Sequence, residues 1–81
     1  MTIKDLAPMI EDMSPIEIYV NTTLVWADNA DLTQMAENQA NEYLQNQAKI
    51  YEDLLSLELE VTDIHYTIVS NHHSKVYIST T

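Results

Sequence analysis

The 81-residue sequence contains no glycine, no cysteine and no phenylalanine. Without cysteine, the chain has neither disulfide bonds nor thiolate metal ligands. Without glycine, it has no phosphate-binding loop, dinucleotide-binding fingerprint or nucleophile elbow, because each of these motifs requires glycine. These absences exclude the common nucleotide-dependent and serine-hydrolase sites, and we expect the protein not to be an enzyme and to bind no cofactor.

Basic residues are nearly as scarce. Thirteen Asp and Glu residues stand against three lysines and no arginine, which gives a formal net charge of −10. A chain with this charge repels phosphate groups and anionic membranes, whereas a basic protein surface attracts it. We therefore expect a basic protein partner and no direct binding to nucleic acid or membrane. A charge that serves only solubility is the alternative interpretation.

Long hydrophobic runs are also missing. No segment approaches the roughly 20 apolar residues that span a bilayer. The N-terminal stretch MTIKDLAPMIEDM lacks the uninterrupted apolar core of a signal peptide, so we expect a cytoplasmic protein. With 46% hydrophobic residues, the chain can still build a modest core as one domain, residues 1–81.

Apolar residues recur at helical spacing between residues 2 and 13. Thr2 can cap this first helix, with Asp5 completing a capping box. Pro8 removes one helical hydrogen bond, so we expect the helix to begin near Ala7 or to kink there.

Two hairpins are predicted from alternation. Apolar and polar residues alternate from Ile16 to Val20, and Asn21 tolerates the positive φ of a tight turn, so Leu24–Ala27 should form the returning strand. Alternation resumes from Val61 to Ile68 with a break near Thr62–Asp63, which predicts a bulge. Ser70 to Ser74 should then form a turn, and Val76 and Ile78 should lie on the returning strand.

The longest predicted element is a helix from Leu32 to Leu55, with Asp31 as its N-cap and Gln34 completing a capping-box pattern. One row of its residues repeats every three or four positions: Ala36, Ala40, Tyr43, Gln47, Ile50, Leu54 and Leu57. We expect the protein's own sheet to cover the larger members of this row. The thinner half of the row also allows a homodimer.

The element order is therefore helix, strand, strand, long helix, strand, strand. We predict a single small α+β domain in which the helices pack on a four-stranded antiparallel sheet.

The histidines do not form a recognisable metal site. His72 and His73 are adjacent in a predicted turn, and His65 lies on the preceding strand. Adjacent residues of an extended segment point to opposite faces, and zinc needs three or four converging ligands. We predict no bound metal.

The long helix carries the candidate partner-binding surface. It holds seven amides between Gln34 and Gln47, and Lys49 is its only base, although surface helices commonly pair Glu with Lys four residues apart. A simple solvated helix is the alternative interpretation. The candidate partner-binding residues are Trp26, Asp28, Asp31, Glu37, Glu42, Glu52 and Asp53. Trp26 would be the aromatic anchor if it shared the outer face of the first hairpin with Glu17 and Tyr19.

Four stretches carry a resemblance to a known group: TIKDLAPMIEDMSPIEIYV, LVW, YEDLLSLELEVTDIHY and VYI. Their spacing resembles short acidic proteins encoded by phages and mobile elements of Gram-positive bacteria. The amide-rich stretch between Asp31 and Ala48 is not part of that pattern. Small acidic proteins of this group include anti-CRISPR and anti-restriction inhibitors, some of which present carboxylates where a host nuclease expects DNA phosphates.

Charge and resemblance together suggest a phage-type inhibitor. It would bind a host nucleic-acid-binding defence protein, such as a CRISPR–Cas effector or another nuclease, through an acidic, DNA-mimic-like surface in the host bacterial cytoplasm. The alternative is a homo-oligomeric structural or accessory phage protein whose charge serves only solubility and does not mimic nucleic acid.

Overall fold

A computed structural model describes residues 1–28, 34–70 and 73–81. Across these residues the elements follow the predicted order: α1 (Ile3–Asp12), β1 (Pro15–Val20), β2 (Thr23–Ala27), α2 (Glu37–Leu55), β3 (Val61–Ser70) and β4 (His73–Thr80). The predicted α+β fold is confirmed. No helix within the described ranges is long and apolar enough to cross a membrane.

α1 begins where its capping residues predict. The Asp5 N–H donates to Thr2 Oγ1 at 3.3 Å, and the Thr2 N–H donates to the Asp5 carboxylate at 3.0 Å. The predicted capping box is therefore confirmed, whereas the predicted start near Ala7 is wrong because the helix begins at Ile3. The capping box satisfies two backbone N–H groups of the first turn, so the helix starts ahead of the hydrogen bond that Pro8 removes.

Local signals also place the hairpins correctly. Asn21 has the predicted positive φ, 51°, and Thr22 follows at 70°. Two consecutive residues with positive φ are typical of the turn that connects twisted antiparallel strands. In the second hairpin, the β3–β4 register shifts between Val61 and Asp63, where the bulge was predicted.

The sheet has the strand order β2-β1-β4-β3. Each hairpin is antiparallel, but β1 and β4 pair in parallel, with Ile18 opposite Val76. The sheet is therefore mixed, and the predicted antiparallel pairing is corrected at its centre. The turn at Asn21 and Thr22 reverses the chain between β1 and β2, whereas α2 lies between β2 and β3 in the chain and allows the two hairpins to meet in parallel.

α2 is shorter than the sequence predicts. It begins at Glu37, after Ala36, which makes no side-chain capping bond, so the predicted start at Leu32 is corrected. The predicted cap, Asp31, lies outside the described residues. Residues 36–39 are all exposed, so the first turn of α2 gains little from packing.

The core lies between α1, the second half of α2 and the two central strands. It consists of Ile3, Leu6, Ile10, Ile18, Leu54, Leu55, Val76 and Ile78. The prediction that Leu54 is covered is thus confirmed, and Tyr43 is half-buried. The prediction that the sheet covers Ile50 is wrong. That part of α2 lies against the short edge strand β2, which leaves Ile50 exposed.

Candidate partner-binding surfaces

Four predicted site residues lie on α2 and define its acidic face: Glu37, Glu42, Glu52 and Asp53. All four are exposed. At 3.6 residues per turn, Glu42, Glu52 and Asp53 project away from the side on which Leu54 and Tyr51 pack. Glu37 lies in the first turn, about 140° around the helix from Glu42, where the helix dipole favours a negative charge.

The acidic face is not neutralised by ion pairs among the described residues. The ion pairs found there join the Met1 ammonium to Glu60, Lys4 to Glu58 and Lys75 to Glu17. Two of the three lysines therefore form ion pairs with carboxylates outside α2. Lys49 lies on the same side of α2 as Glu42, but it forms no ion pair with a described carboxylate. The face keeps an uncompensated negative charge.

Asp28 and Asp31 belong to the connection between β2 and α2. Asp28 is exposed, and its backbone N–H donates to the Ile16 carbonyl at 2.8 Å, which holds the end of β2 against β1. The predicted site residue Asp31 lies outside the described ranges. Asp28 is therefore the one member of this pair that the structure places, at the edge of the sheet rather than on the helix.

Trp26 faces the interior side of the sheet. A simple two-residue turn would place Trp26 opposite Glu17 on the outer face, but a bulge shifts the register so that Trp26 pairs with Ile18. Its indole N–H donates to the backbone carbonyl of Gln47 at 3.4 Å, and the centroid of its ring lies 4.8 Å from that of Tyr51. Trp26 therefore packs beneath α2, and the condition for its role as an outer-face anchor with Tyr19 is not met.

A shallow cavity of about 300 Å³ adjoins Trp26 between β2 and α2. Leu24, Tyr43 and Ile50 contribute to its walls, and no carboxylate, histidine or lysine lines it among the described residues. Gln47 Oε1 is buried and accepts no hydrogen bond from any described residue. The described residues that line the cavity thus include no carboxylate, histidine or lysine that could act as an acid or base in catalysis.

The outer face of the sheet carries a row of stacked rings. Tyr77 stacks between Tyr19 and His65, with centroid separations of 4.9 Å on both sides. The Tyr19 hydroxyl donates to Glu17 at 2.8 Å; this bond lowers the pKa of Glu17 and raises that of Tyr19. Because the rings cover each other's faces, the row stabilises three strands and presents no open ring face between them.

The histidines do not converge on a metal site in the described parts of the chain. His65 belongs to the stacked row and His73 is exposed on β4, whereas His72 lies outside the described residues. No group of three or more His, Asp or Glu residues there could hold a metal ion.

A further surface, which sequence reasoning missed, lies along β3. Tyr66 and Ile68 belong to the alternating apolar row of β3, yet they are 52% and 67% exposed. They line a groove of about 410 Å³ between β3 and α1, together with Met9 and Met13. Alternation correctly indicates the face on which Tyr66 and Ile68 lie. It does not show that the ten-residue α1 leaves this end of the face uncovered.

Comparison with known proteins finds no matching family model, no matching curated protein and no matching solved structure.

Proposed function

We propose that this protein is a phage-type inhibitor of a host nucleic-acid-binding defence protein, a CRISPR–Cas effector or another nuclease. It acts in the host bacterial cytoplasm by stoichiometric binding, and its carboxylates occupy a basic groove that otherwise holds DNA or RNA. The observation that supports this proposal most directly is the acidic face of α2, whose four exposed carboxylates have no ion-pair partner among the described residues.

The spacing of these carboxylates limits how closely they imitate DNA. Glu37 and Asp53 lie about 24 Å apart along the helix axis at 1.5 Å per residue. Duplex DNA carries about 14 phosphate charges over that length, at one per 1.7 Å. Four carboxylates reproduce only a fraction of them, so the acidic face steers association and excludes nucleic acid, while tight binding needs contacts elsewhere.

The decisive experiment begins with a pull-down of partners by the tagged protein from host lysate. Association of the captured protein is then measured by surface plasmon resonance at low salt. The Glu37→Lys/Glu42→Lys variant should associate about tenfold more slowly or worse, because it reverses two charges on the acidic face. Glu58→Lys/Glu60→Lys makes the same change in net charge outside α2 but also breaks the ion pairs with Lys4 and the Met1 ammonium, so it is the control once both double variants are shown by Tm to remain folded.

Two results would contradict the proposal. An unchanged association rate for Glu37→Lys/Glu42→Lys would remove the acidic face from the interface. Simultaneous binding of inhibitor and nucleic acid to the partner would exclude occlusion. If both double variants slow association equally, net charge rather than the acidic face is responsible.

The second candidate function is a homo-oligomeric structural or accessory phage protein. The exposed apolar residues of β3 favour this alternative, because such patches commonly mark interfaces. Sedimentation of the purified protein separates the two functions: a stable oligomer without any lysate partner would favour the structural role.

A further inference from the structure

β3 forms one edge of the sheet and has an open side. It pairs with β4 on one side only. On its other side, the Val61 N–H donates to the Met1 carbonyl at 2.8 Å. Beyond that bond, residues 63–70 make no backbone hydrogen bond on this side to any described residue. We call residues 63–70 the open edge.

The open edge lacks the devices that usually protect edge strands. Lysine, proline and inward-pointing charges commonly prevent an edge from pairing with another chain. Residues 63–70 read DIHYTIVS and contain neither lysine nor proline. Their inward row consists of Ile64, Tyr66 and Ile68, whereas the register shift after Ile68 places Ser70 opposite His73 on the outer face. The register is regular from Asp63 to Ile68, so this stretch can template a further strand.

The groove beside the open edge suits side chains of an added strand. Met9 and Met13 form its α1 wall, and flexible thioethers adapt to varied apolar side chains. The Ser74 hydroxyl in this groove already donates to the Met13 carbonyl at 2.6 Å. Asp12 also lines the groove; it is exposed and forms no ion pair with a described residue. The groove therefore offers apolar walls and one available carboxylate.

We infer that the open edge binds an extended, basic segment of the partner protein as a fifth strand of the sheet. Its apolar side chains enter the groove, and a Lys or Arg reaches Asp12. Eight residues of strand span about 27 Å at 3.4 Å per residue, which sets the length of the segment. This inference rests on the proposed function and supplies the main-chain contacts that the acidic face lacks.

Charge decides between a basic segment and a second copy of this chain. Each copy carries a net charge of −10, so pairing two copies brings like charges together. A Lys- or Arg-rich segment instead gains attraction from the same charge, from Asp12 in the groove and from Asp63 at the start of the open edge.

The test is a selection of random twelve-residue peptides, displayed on ribosomes, against the immobilised full-length protein. Enriched peptides should carry apolar residues at alternate positions that face the groove, with a Lys or Arg in that same row where it can reach Asp12. Ile68→Lys, which places a charge in the groove, should weaken their binding about tenfold or more, as measured by fluorescence anisotropy. Leu24→Lys is the matched control, because Leu24 is 49% exposed on the opposite edge strand; it should leave the affinity unchanged.

Hydrogen exchange on the unmodified protein gives a second readout that depends on no variant. Bound peptide should protect alternate amides within residues 63–70, since an added strand pairs with every second residue of an edge. The inference would be overturned by equal peptide affinity for wild type and Ile68→Lys. It would also be overturned if bound peptide added no protection to the β3 amides, or if the enriched peptides lacked basic residues. So would a dimer of the free protein that Ile68→Lys dissociates, because the second copy would then occupy the edge.

The two proposals fail separately. If Glu37→Lys/Glu42→Lys slows capture of the lysate partner but Ile68→Lys changes neither capture nor peptide binding, the edge inference is wrong and the proposed function stands. If peptides bind the open edge but the captured partner binds nucleic acid at the same time, the edge inference is supported and the occlusion function is wrong.

Discussion

Two substitutions in α2 measure how far its packing extends. Leu54 and Ile50 lie one turn apart in the same predicted apolar row, but Leu54 is 6% exposed and Ile50 is 44% exposed. Leu54→Ala removes a core side chain and should cost about 2–5 kcal/mol of unfolding free energy. Ile50→Ala loses about half of the burial of an isoleucine and should cost about 1 kcal/mol.

Urea denaturation followed by far-UV circular dichroism gives both values, provided that the denaturant slope is unchanged. In a domain of this size, each 1 kcal/mol lowers Tm by about 4–8 °C. Leu54→Ala should therefore lower Tm by at least about 8 °C, and Ile50→Ala by about 4–8 °C. Both variants place alanine in the helix, so differences in helix propensity contribute little.

Equal destabilisation by the two substitutions would refute this reasoning. It would mean that the sheet covers the whole apolar row, as the sequence pattern predicts, and that α2 lies closer to β2 around Tyr43 and Ile50 than the structure places it.

Three further predictions concern the turn, the total charge and one carboxylate. Thr22 holds a β-branched side chain at φ 70°, so Thr22→Gly should raise the unfolding free energy by about 1 kcal/mol, because glycine reaches this φ without steric cost; a loss in urea denaturation would contradict this. Raising salt to about 0.3 M should raise Tm, because it screens the repulsion within a chain of net charge −10; a fall would reveal stabilising ion pairs. The hydrogen bond from the Tyr19 hydroxyl lowers the pKa of Glu17 in the folded protein. The bond therefore stabilises the fold at pH values above the ordinary glutamate pKa, and this contribution is lost as pH falls through the lowered pKa. Glu17→Gln should flatten that acid limb of Tm against pH, and an unchanged limb would count against the assignment.

Local chemistry in the sequence predicts the ends and turns of the elements well. The Thr2–Asp5 capping box, the positive φ of Asn21 and the irregularity after Val61 each depend on residues within a few positions of one another. Such signals act through short hydrogen bonds and backbone sterics, which a single sequence displays directly.

Features that depend on distant parts of the chain could not be predicted in this way. The side of the sheet that Trp26 occupies depends on one bulge in β2, since a register shift of one residue moves a side chain to the other face. The exposure of Ile50 depends on its position over the short edge strand β2, and that of Ile68 depends on where α1 ends over the sheet. Apolar periodicity identifies a face that can be buried, not the element that buries it.

The parallel pairing of β1 with β4 affects the timing of synthesis. Residues 21–72 separate the two strands, and a ribosome adding about 5–20 residues per second needs roughly 3–10 s to produce the second strand after the first. During that interval the first hairpin stands alone, which is marginal in water, and Ile18 lacks its neighbour Val76. A nascent chain therefore cannot present a finished binding surface until translation has passed β4, and a pause before residue 73 leaves an apolar strand open to chaperones and proteases.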